Sequence, residues 1–219
     1  MDSKIKKITV ITGYYGSGKT NLAVNIALYL KEKGAGRVSA VDLDIVNPYF
    51  RCSDFEELFR KEDIAVYSPL YAGTNLDIPA LDFDMESIIS QSSYTVIDVG
   101  GDDAGAYALG RYKNIFKRYE NDISVLYVYN RFRREDYSAE EAADNLRSIE
   151  KASGLKCTSL VNNSNLGAAV ENEILPDTSN FQKKLEQLTG LKTVLCSSEK
   201  NSDFTVKRLV KLPWERSTV

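Results

Sequence analysis

The chain contains no histidine. That removes histidine acid–base chemistry, Ser-His-Asp and Cys-His nucleophilic relays, and histidine-ligated zinc. Its three cysteines, Cys52, Cys157 and Cys196, are far apart, odd in number and without C-x-x-C spacing. Neither a disulfide framework nor a thiolate zinc site is encoded, and buried, reduced thiols are expected. No apolar run approaches the roughly 20 residues that a membrane-spanning helix needs. Lys4, Lys6 and Lys7 precede only the short apolar stretch 8–12, too brief for the core of a secretory signal, so a cytoplasmic protein is expected. The net charge of −3 argues against a protein that coats nucleic acid. Repeats and low-complexity tracts are also missing.

What the 219 residues do hold is ordinary for a globular chain: 43% are hydrophobic and 27% charged. That suffices for one core without disulfides or structural metal. Strand and helix signals alternate almost to the end. Strands are predicted over 5–12, 37–43, 64–67, 94–99, 123–129, 157–161 and 191–196, from runs of β-branched and aromatic residues. Leu22, Ala23, Ile26, Ala27 and Leu30 recur at helical spacing, and 85–89 is helical. Ser53 with Glu56 and Ser138 with Glu141 read as capping boxes for helices running to Arg60 and to about Lys151. Ser179 with Gln182 opens a helix that Gly190 ends, while 69–79 reads as a loop. With no linker of domain-boundary composition, residues 1–219 are expected to form one α/β domain, a mostly parallel central sheet with helices on both faces.

Gly13-Tyr14-Tyr15-Gly16-Ser17-Gly18-Lys19-Thr20 matches the pattern G-x-x-x-x-G-K-[ST] between a predicted strand and a predicted helix. Glycines let a backbone wrap closely around phosphate, with its N–H groups pointing inward as an anion nest. The positive end of the following helix adds to that attraction. Lys19 would reach the terminal phosphates and the Thr20 hydroxyl would ligate Mg²⁺. Residues 13 to 20, with Asn21 opening the helix, form the expected nucleotide contact.

Asp42 and Asp44 end the second strand in Val41-Asp42-Leu43-Asp44. Strand-end carboxylates beside a phosphate loop can hold the waters of Mg²⁺ or orient an attacking water. They also occur as solvated turn residues. Val96-Ile97-Asp98-Val99-Gly100-Gly101 is an apolar run ending in an aspartate, the Walker B pattern. Asp98 would hold a Mg²⁺-bound water, and D-x-x-G spacing puts the Gly101 N–H within reach of a γ-phosphate.

Together these segments resemble the MinD/ParA-like branch of P-loop NTPases, which also includes nitrogenase iron protein-like ATPases and dethiobiotin synthetase-like ligases. More closely, G-Y-Y-G-S-G-K-T, D-L-D-I-V-N-P-Y-F-R and D-V-G-G-D-D-A-G-A are similar to a bacterial group of CobQ/CobB/MinD/ParA nucleotide-binding domains. The similarity spans most of the chain. It implies adjacent Walker A and Walker B strands, ATP with Mg²⁺, and often a homodimer. By this resemblance Lys19, Asp42 and Asp44 are the catalytic set, with Asp42 near Mg²⁺ and Asp44 near the attacking water. Asn162 matches the position that hydrogen-bonds adenine in relatives; an amide can both donate to and accept from a base edge. No N-K-x-D guanine signature is present, which favours adenine. One departure stands out. MinD and ParA carry a signature lysine early in the loop that crosses to the partner's nucleotide, and here that position is Tyr14. A cation in trans would then fall to Arg51 or Arg111, although both read as surface residues.

Phosphoryl transfer needs mainly positioning and electrostatics, so no histidine is required. The leading expectation is a slow Mg²⁺-dependent ATPase that acts as a nucleotide-controlled switch on an unidentified protein partner. One alternative is an ATP-dependent binding module with negligible turnover. Another is a small-molecule kinase or ATP-dependent ligase, with Asp77 and Asp82 of the 68–84 loop lining an acceptor pocket. Tyr14, Tyr15, Tyr49, Phe50, Tyr107 and Tyr112 would lie near the nucleotide face, either as a partner surface or as rings covering helices. Asp102 and Asp103 read as helix N-terminal charges. Residues 202–212 suit a terminal helix packed on the sheet better than a membrane-surface helix.

Overall fold

The computed structural model describes residues 5–44, 51–69, 84–165 and 177–197. Among them, seven strands form one sheet: β1 (Ile8–Gly13), β2 (Val38–Leu43), β3 (Ile64–Tyr67), β4 (Tyr94–Val99), β5 (Ile123–Tyr129), β6 (Ser159–Asn162) and β7 (Thr193–Cys196). Their order is β3-β2-β4-β1-β5-β6-β7, and every neighbouring pair is parallel. The expected mostly parallel sheet is therefore parallel throughout. Parallel pairing demands crossovers, and helices supply most of them: α1 (Lys19–Glu32), α2 (Glu56–Lys61), α3 (Met85–Gln91), α4 (Asp103–Gly110), α5 (Lys113–Lys117), α6 (Ala139–Ser153) and α7 (Ser179–Thr189).

Each of the four central strands is covered on both sides, so its sequence reads as a near-continuous apolar run. The period of two then sorts the side chains. Ile8, Val10, Val41, Leu43, Ile97, Val99, Val125 and Tyr127 face one core, where they meet Met85, Ile88, Leu109, Leu146 and Ile149 of α3, α4 and α6. Ile11, Val38, Ala40, Val96, Leu126 and Val128 face the other, against Leu22, Ile26 and Leu30 of α1 and Phe59 of α2. Asp42 and Asp98 share the parity of Ala40 and Val96. Both carboxylates therefore project on the α1 side, and strand register sets them directly opposite each other.

Ser138 and Glu141 close the predicted capping box at the start of α6, and Gly154 ends that helix in the left-handed conformation. Two predicted caps sit elsewhere. A 3₁₀ turn, Cys52–Phe55, precedes α2, so that helix begins after Phe55 rather than at Ser53. At α7 Thr178 is the cap position, without a side-chain bond, and the Asp177 carboxylate, two residues ahead of the predicted cap, accepts from the Ser179 N–H and hydroxyl. Helix α4 starts where Asp102 and Asp103 read as helix N-terminal charges, although glycines at 105 and 110 depress its propensity. Gly105 is needed for room, since a Cβ there would stand 2.6 Å from the Gly100 backbone. Among the described residues no helix is long and apolar enough to cross a membrane. Residues 202–212 lie outside those described.

Ser138→Ala removes one half of the α6 capping box and should lower stability by about 1 kcal/mol. Thermal unfolding is the check, with a fall of about 2–4 °C expected for a domain of this size.

Candidate functional site

The segment after β1 turns back on itself through three glycines with positive φ: Gly13 (145°), Gly16 (73°) and Gly18 (88°). At Gly13 close approach matters too, because a Cβ would stand 2.1 Å from the Val128 carbonyl oxygen of β5. The Ser17 N–H donates to the Tyr14 carbonyl at 3.2 Å, and the Lys19 ammonium returns over the loop to the same oxygen at 3.1 Å. The loop is thereby wound around its own lysine.

Helix α1 opens from this loop with neither a side-chain cap nor an acid in its first turn, as α5 and α7 also do. Helices α3, α4 and α6 each begin with a side-chain cap (Asp84, Asp102 and Ser138) and an acidic residue in the first turn. α1 has neither: Gly18 provides no capping oxygen, and no acid lies in its first turn. Its positive end and first N–H groups are left for an anion from outside the helix. Asn21 sits in that first turn, its carbonyl accepting from Asn25 at 2.7 Å.

Facing the loop are the carboxylates. Asp42 is fully buried and doubly engaged: Arg51 Nε lies 3.2 Å from one oxygen, and the Asp44 N–H donates to the other at 2.9 Å. Asp98, opposite it in register, is equally buried, yet among the described residues neither of its oxygens has a hydrogen-bond partner. Burial, reinforced by Asp42, pushes the Asp98 carboxyl up to about 8, outweighing the Thr20 hydroxyl and the Lys19 ammonium, which act the other way. Burial likewise lowers the Lys19 ammonium, in spite of Asp98, Asp44 and Asp102 around it. Each member of the cation–anion pair is thus driven toward its neutral form. A phosphate at Lys19 and a metal ion at Asp98 would each reverse that drive. The hard oxygens of Asp98 and Thr20 suit Mg²⁺ in chemical type. No group of three His, Cys, Asp or Glu side chains among the described residues is arranged to hold a metal, so such an ion would need phosphate and water as further ligands.

The remaining predicted residues fall on either side of this centre. Gly101 abuts it: a Cβ there would stand 2.7 Å from both Lys19 Nζ and the Tyr15 nitrogen. A cavity of about 280 Å³ is bounded by Tyr15, Gly16, Gly18, Lys19, Thr20 and Asp44, together with Arg133, which sequence reasoning missed. Asp102 caps α4 through the Gly105 N–H, as its helix N-terminal reading required.

Asn162 does not face the loop. Its amide nitrogen donates to Thr178 Oγ1 and Gln182 Oε1, and its oxygen accepts from the Ser164 N–H. Both amide protons therefore tie β6 to α7 and are not offered to a base. The next residue, Asn163, reaches the loop instead, donating to the Ser17 carbonyl at 2.7 Å. Arg51 is not a surface residue: at 4% exposure it is buried against Asp42, which rules out the expected reach in trans in this conformation. Arg111 is exposed. Tyr112 is a core residue beside Phe116, while Tyr15 and Tyr107 are exposed. Tyr14 stacks on Tyr137 at 6.1 Å. Cys52 and Cys157 are buried free thiols, and Cys196 is partly buried. Tyr49, Phe50, Asp77 and Asp82 lie outside the described residues.

No protein-family model matches this sequence, and no curated protein matches it. Solved structures do. The signal recognition particle 54 kDa protein from Aeropyrum pernix K1, in complex with GDP, is similar over 88% of this chain and 41% of its own, with a TM-score of 0.55 and 17% identity. FtsY from Mycoplasma mycoides is similar over 96% of this chain and 64% of its own (TM-score 0.57, 14% identity). A nucleotide-binding protein from Archaeoglobus fulgidus, in complex with ADP, is similar over 90% of this chain and 84% of its own (TM-score 0.53, 11% identity). The chain thus spans less than two thirds of the first two proteins. At these identities the likeness is one of fold alone, a parallel sheet flanked by helices of the P-loop NTPase-like kind.

The raised Asp98 carboxyl has a consequence for stability. Below its unfolded value of 3.8 the group is protonated in both states. Between 3.8 and about 8 only the folded state holds the proton, so its contribution to stability declines as pH rises and is lost above 8. Asp98→Asn, an isostere of the protonated acid, should raise the melting temperature of the ligand-free protein by about 2–4 °C at pH 8 and hardly at all at pH 4. An equal offset at both pH values would contradict a raised Asp98.

Proposed function

We propose that this protein binds a nucleoside triphosphate with Mg²⁺, ATP in preference to GTP, and hydrolyses it slowly as a conformational switch. The observation that carries the reading is the placement of buried Lys19 and buried Asp98, each pushed toward its neutral form by burial, at the uncapped start of α1. A metal–triphosphate would bring in one ligand a phosphate anion to Lys19 and a divalent cation to Asp98.

In this reading the N–H groups of residues 13 to 20 and Lys19 hold the phosphates. Thr20 ligates Mg²⁺ through its hydroxyl, and Asp98 holds a water of the metal. Bound Mg²⁺ supplies charge neutralisation along the phosphate chain. Asp42, fixed by Arg51, acts on the metal site at one remove, through its charge beside Asp98. Asp44 lines the cavity and orients the attacking water. Gly101, against Lys19 and Tyr15, senses the terminal phosphate and passes its presence or loss to α4. Support for a nucleotide comes from the fold shared with proteins whose structures hold GDP and ADP. Preference for adenine rests on the lack of a guanine signature. The MinD/ParA-like resemblance adds a homodimer and a protein partner to the proposal; Tyr14, stacked on Tyr137, would bring no lysine to a second copy.

Lys19→Ala should weaken Mg²⁺–ATP binding by about a hundredfold, measured by titration calorimetry. Asp44→Asn should leave that affinity within about threefold but cut single-turnover hydrolysis about a hundredfold, in line with a residue that orients water. Unchanged binding by the lysine variant would remove the basis of this reading.

A further inference from the structure

The sequence run Arg131-Phe132-Arg133-Arg134 follows β5, and its 3₁₀ turn is held firmly in place. Asn130 accepts from the Phe132 N–H at 3.0 Å and donates to the Asn165 carbonyl at 3.0 Å. The Arg131 N–H donates to Ser164 Oγ at 3.0 Å. Residues 163–165 are in turn tied to the phosphate loop through Asn163 and the Ser17 carbonyl. The turn and the loop therefore share one support.

Its three arginines are not equivalent. Arg131 donates to the carbonyls of Arg134 and Glu135, and Arg134 pairs with Asp136 and Glu141. Arg133 has no ion pair among the described residues. Its guanidinium lies 5.6 Å from the centre of the Tyr15 ring, and a Cβ on Gly16 would stand 2.2 Å from its Nε. It borders the same cavity as Lys19, Thr20 and Asp44. Asp44, Asp98 and Asp102 all act on the Lys19 ammonium. A triphosphate entering that cavity adds further negative charge, so a second cation is needed, and Arg133 is the guanidinium at hand.

We propose that Arg133 grips the terminal phosphate of the bound triphosphate from within the same chain, moving to it from its resting place on Tyr15. This rests on the phosphate-loop reading above and deepens it, since it makes the site discriminate triphosphate from diphosphate. A forked guanidinium–phosphate contact is stronger than a solvent-exposed cation–ring contact, which gives the movement its direction.

The test compares Mg²⁺ with AMPPNP and Mg²⁺ with ADP by calorimetry in wild type, Arg133→Gln and Lys19→Ala. Arg133→Gln should lose about tenfold or more in AMPPNP affinity while ADP affinity stays within about twofold. Arg133→Lys, which keeps charge but not the fork, should fall between. Equal losses for the two nucleotides, or none, would overturn the role of Arg133. Lys19→Ala decides the underlying reading separately: if it binds both nucleotides like wild type, the phosphate-loop site itself is wrong. Should Arg133→Gln melt at a lower temperature than wild type, Arg133→Lys carries the same comparison, because its stem still covers Tyr15.

Discussion

Two buried carboxylates side by side under one ammonium are the constraint around which the centre of this protein is organised. Strand register makes Asp42 and Asp98 neighbours, and the period of two aims both toward α1. Two ionised acids at such separation in a dry site repel strongly. Arg51 relieves one of them, at the expense of burying a guanidinium. A pair of this kind adds little net stability, but removing one partner would strand a buried charge at about 3–5 kcal/mol. The other carboxylate, Asp98, has no such salt bridge among the described residues. Burial first, and Asp42 next, hold its carboxyl up to about 8 in the folded, ligand-free chain.

The surroundings of these carboxylates are closely packed. Gly13 lies against the β5 backbone, Gly105 against Gly100, and Gly101 against Lys19 and Tyr15. At each of these contacts a methyl group would have to displace backbone or the ammonium. The phosphate loop, the end of β4 and the start of α4 therefore behave as one packed unit. A change at Lys19 reaches Gly101 directly and α4 one residue later, through the Asp102 cap. This packing is what gives the proposed switch a mechanical path: a ligand that pulls Lys19 from the Tyr14 carbonyl relaxes or tightens the contact on Gly101.

Much of this was legible in the sequence, and for physical reasons. β1, β2, β4 and β5 are buried on both faces, so their apolar runs announced them. The capping box at Ser138 is a local code that works over four residues. The loop glycines and the strand-end aspartates follow from motif spacing. What stayed hidden depends on contacts without local periodicity. Asn163 meets Ser17 across 146 positions, and nothing in its neighbourhood separates it from Asn162, whose amide was the expected base contact. Arg51 looks like any loop arginine until Asp42 is placed beside it. Arg133 sits in a basic run whose members differ only in what they touch.

Tyr14 stands where the MinD/ParA-like resemblance would place an early loop lysine, and its contacts show what the ring does there. A lysine there would project from the loop as a mobile cation. Tyr14 instead stacks on Tyr137, which packs in turn against Phe181, and Phe181 lies against Tyr129. This aromatic column runs from the phosphate loop to the face of α7 and fixes the loop's first half to the α6–α7 side of the sheet. The ring thus serves as an anchor. On the proposed reading a further cation is needed, and the turn after β5 presents Arg133 over Tyr15, the next residue along. Anchor and cation belong to the same chain. On the proposed reading, charge compensation at the terminal phosphate is a property of one folded molecule, and a second copy would add regulation rather than complete the site.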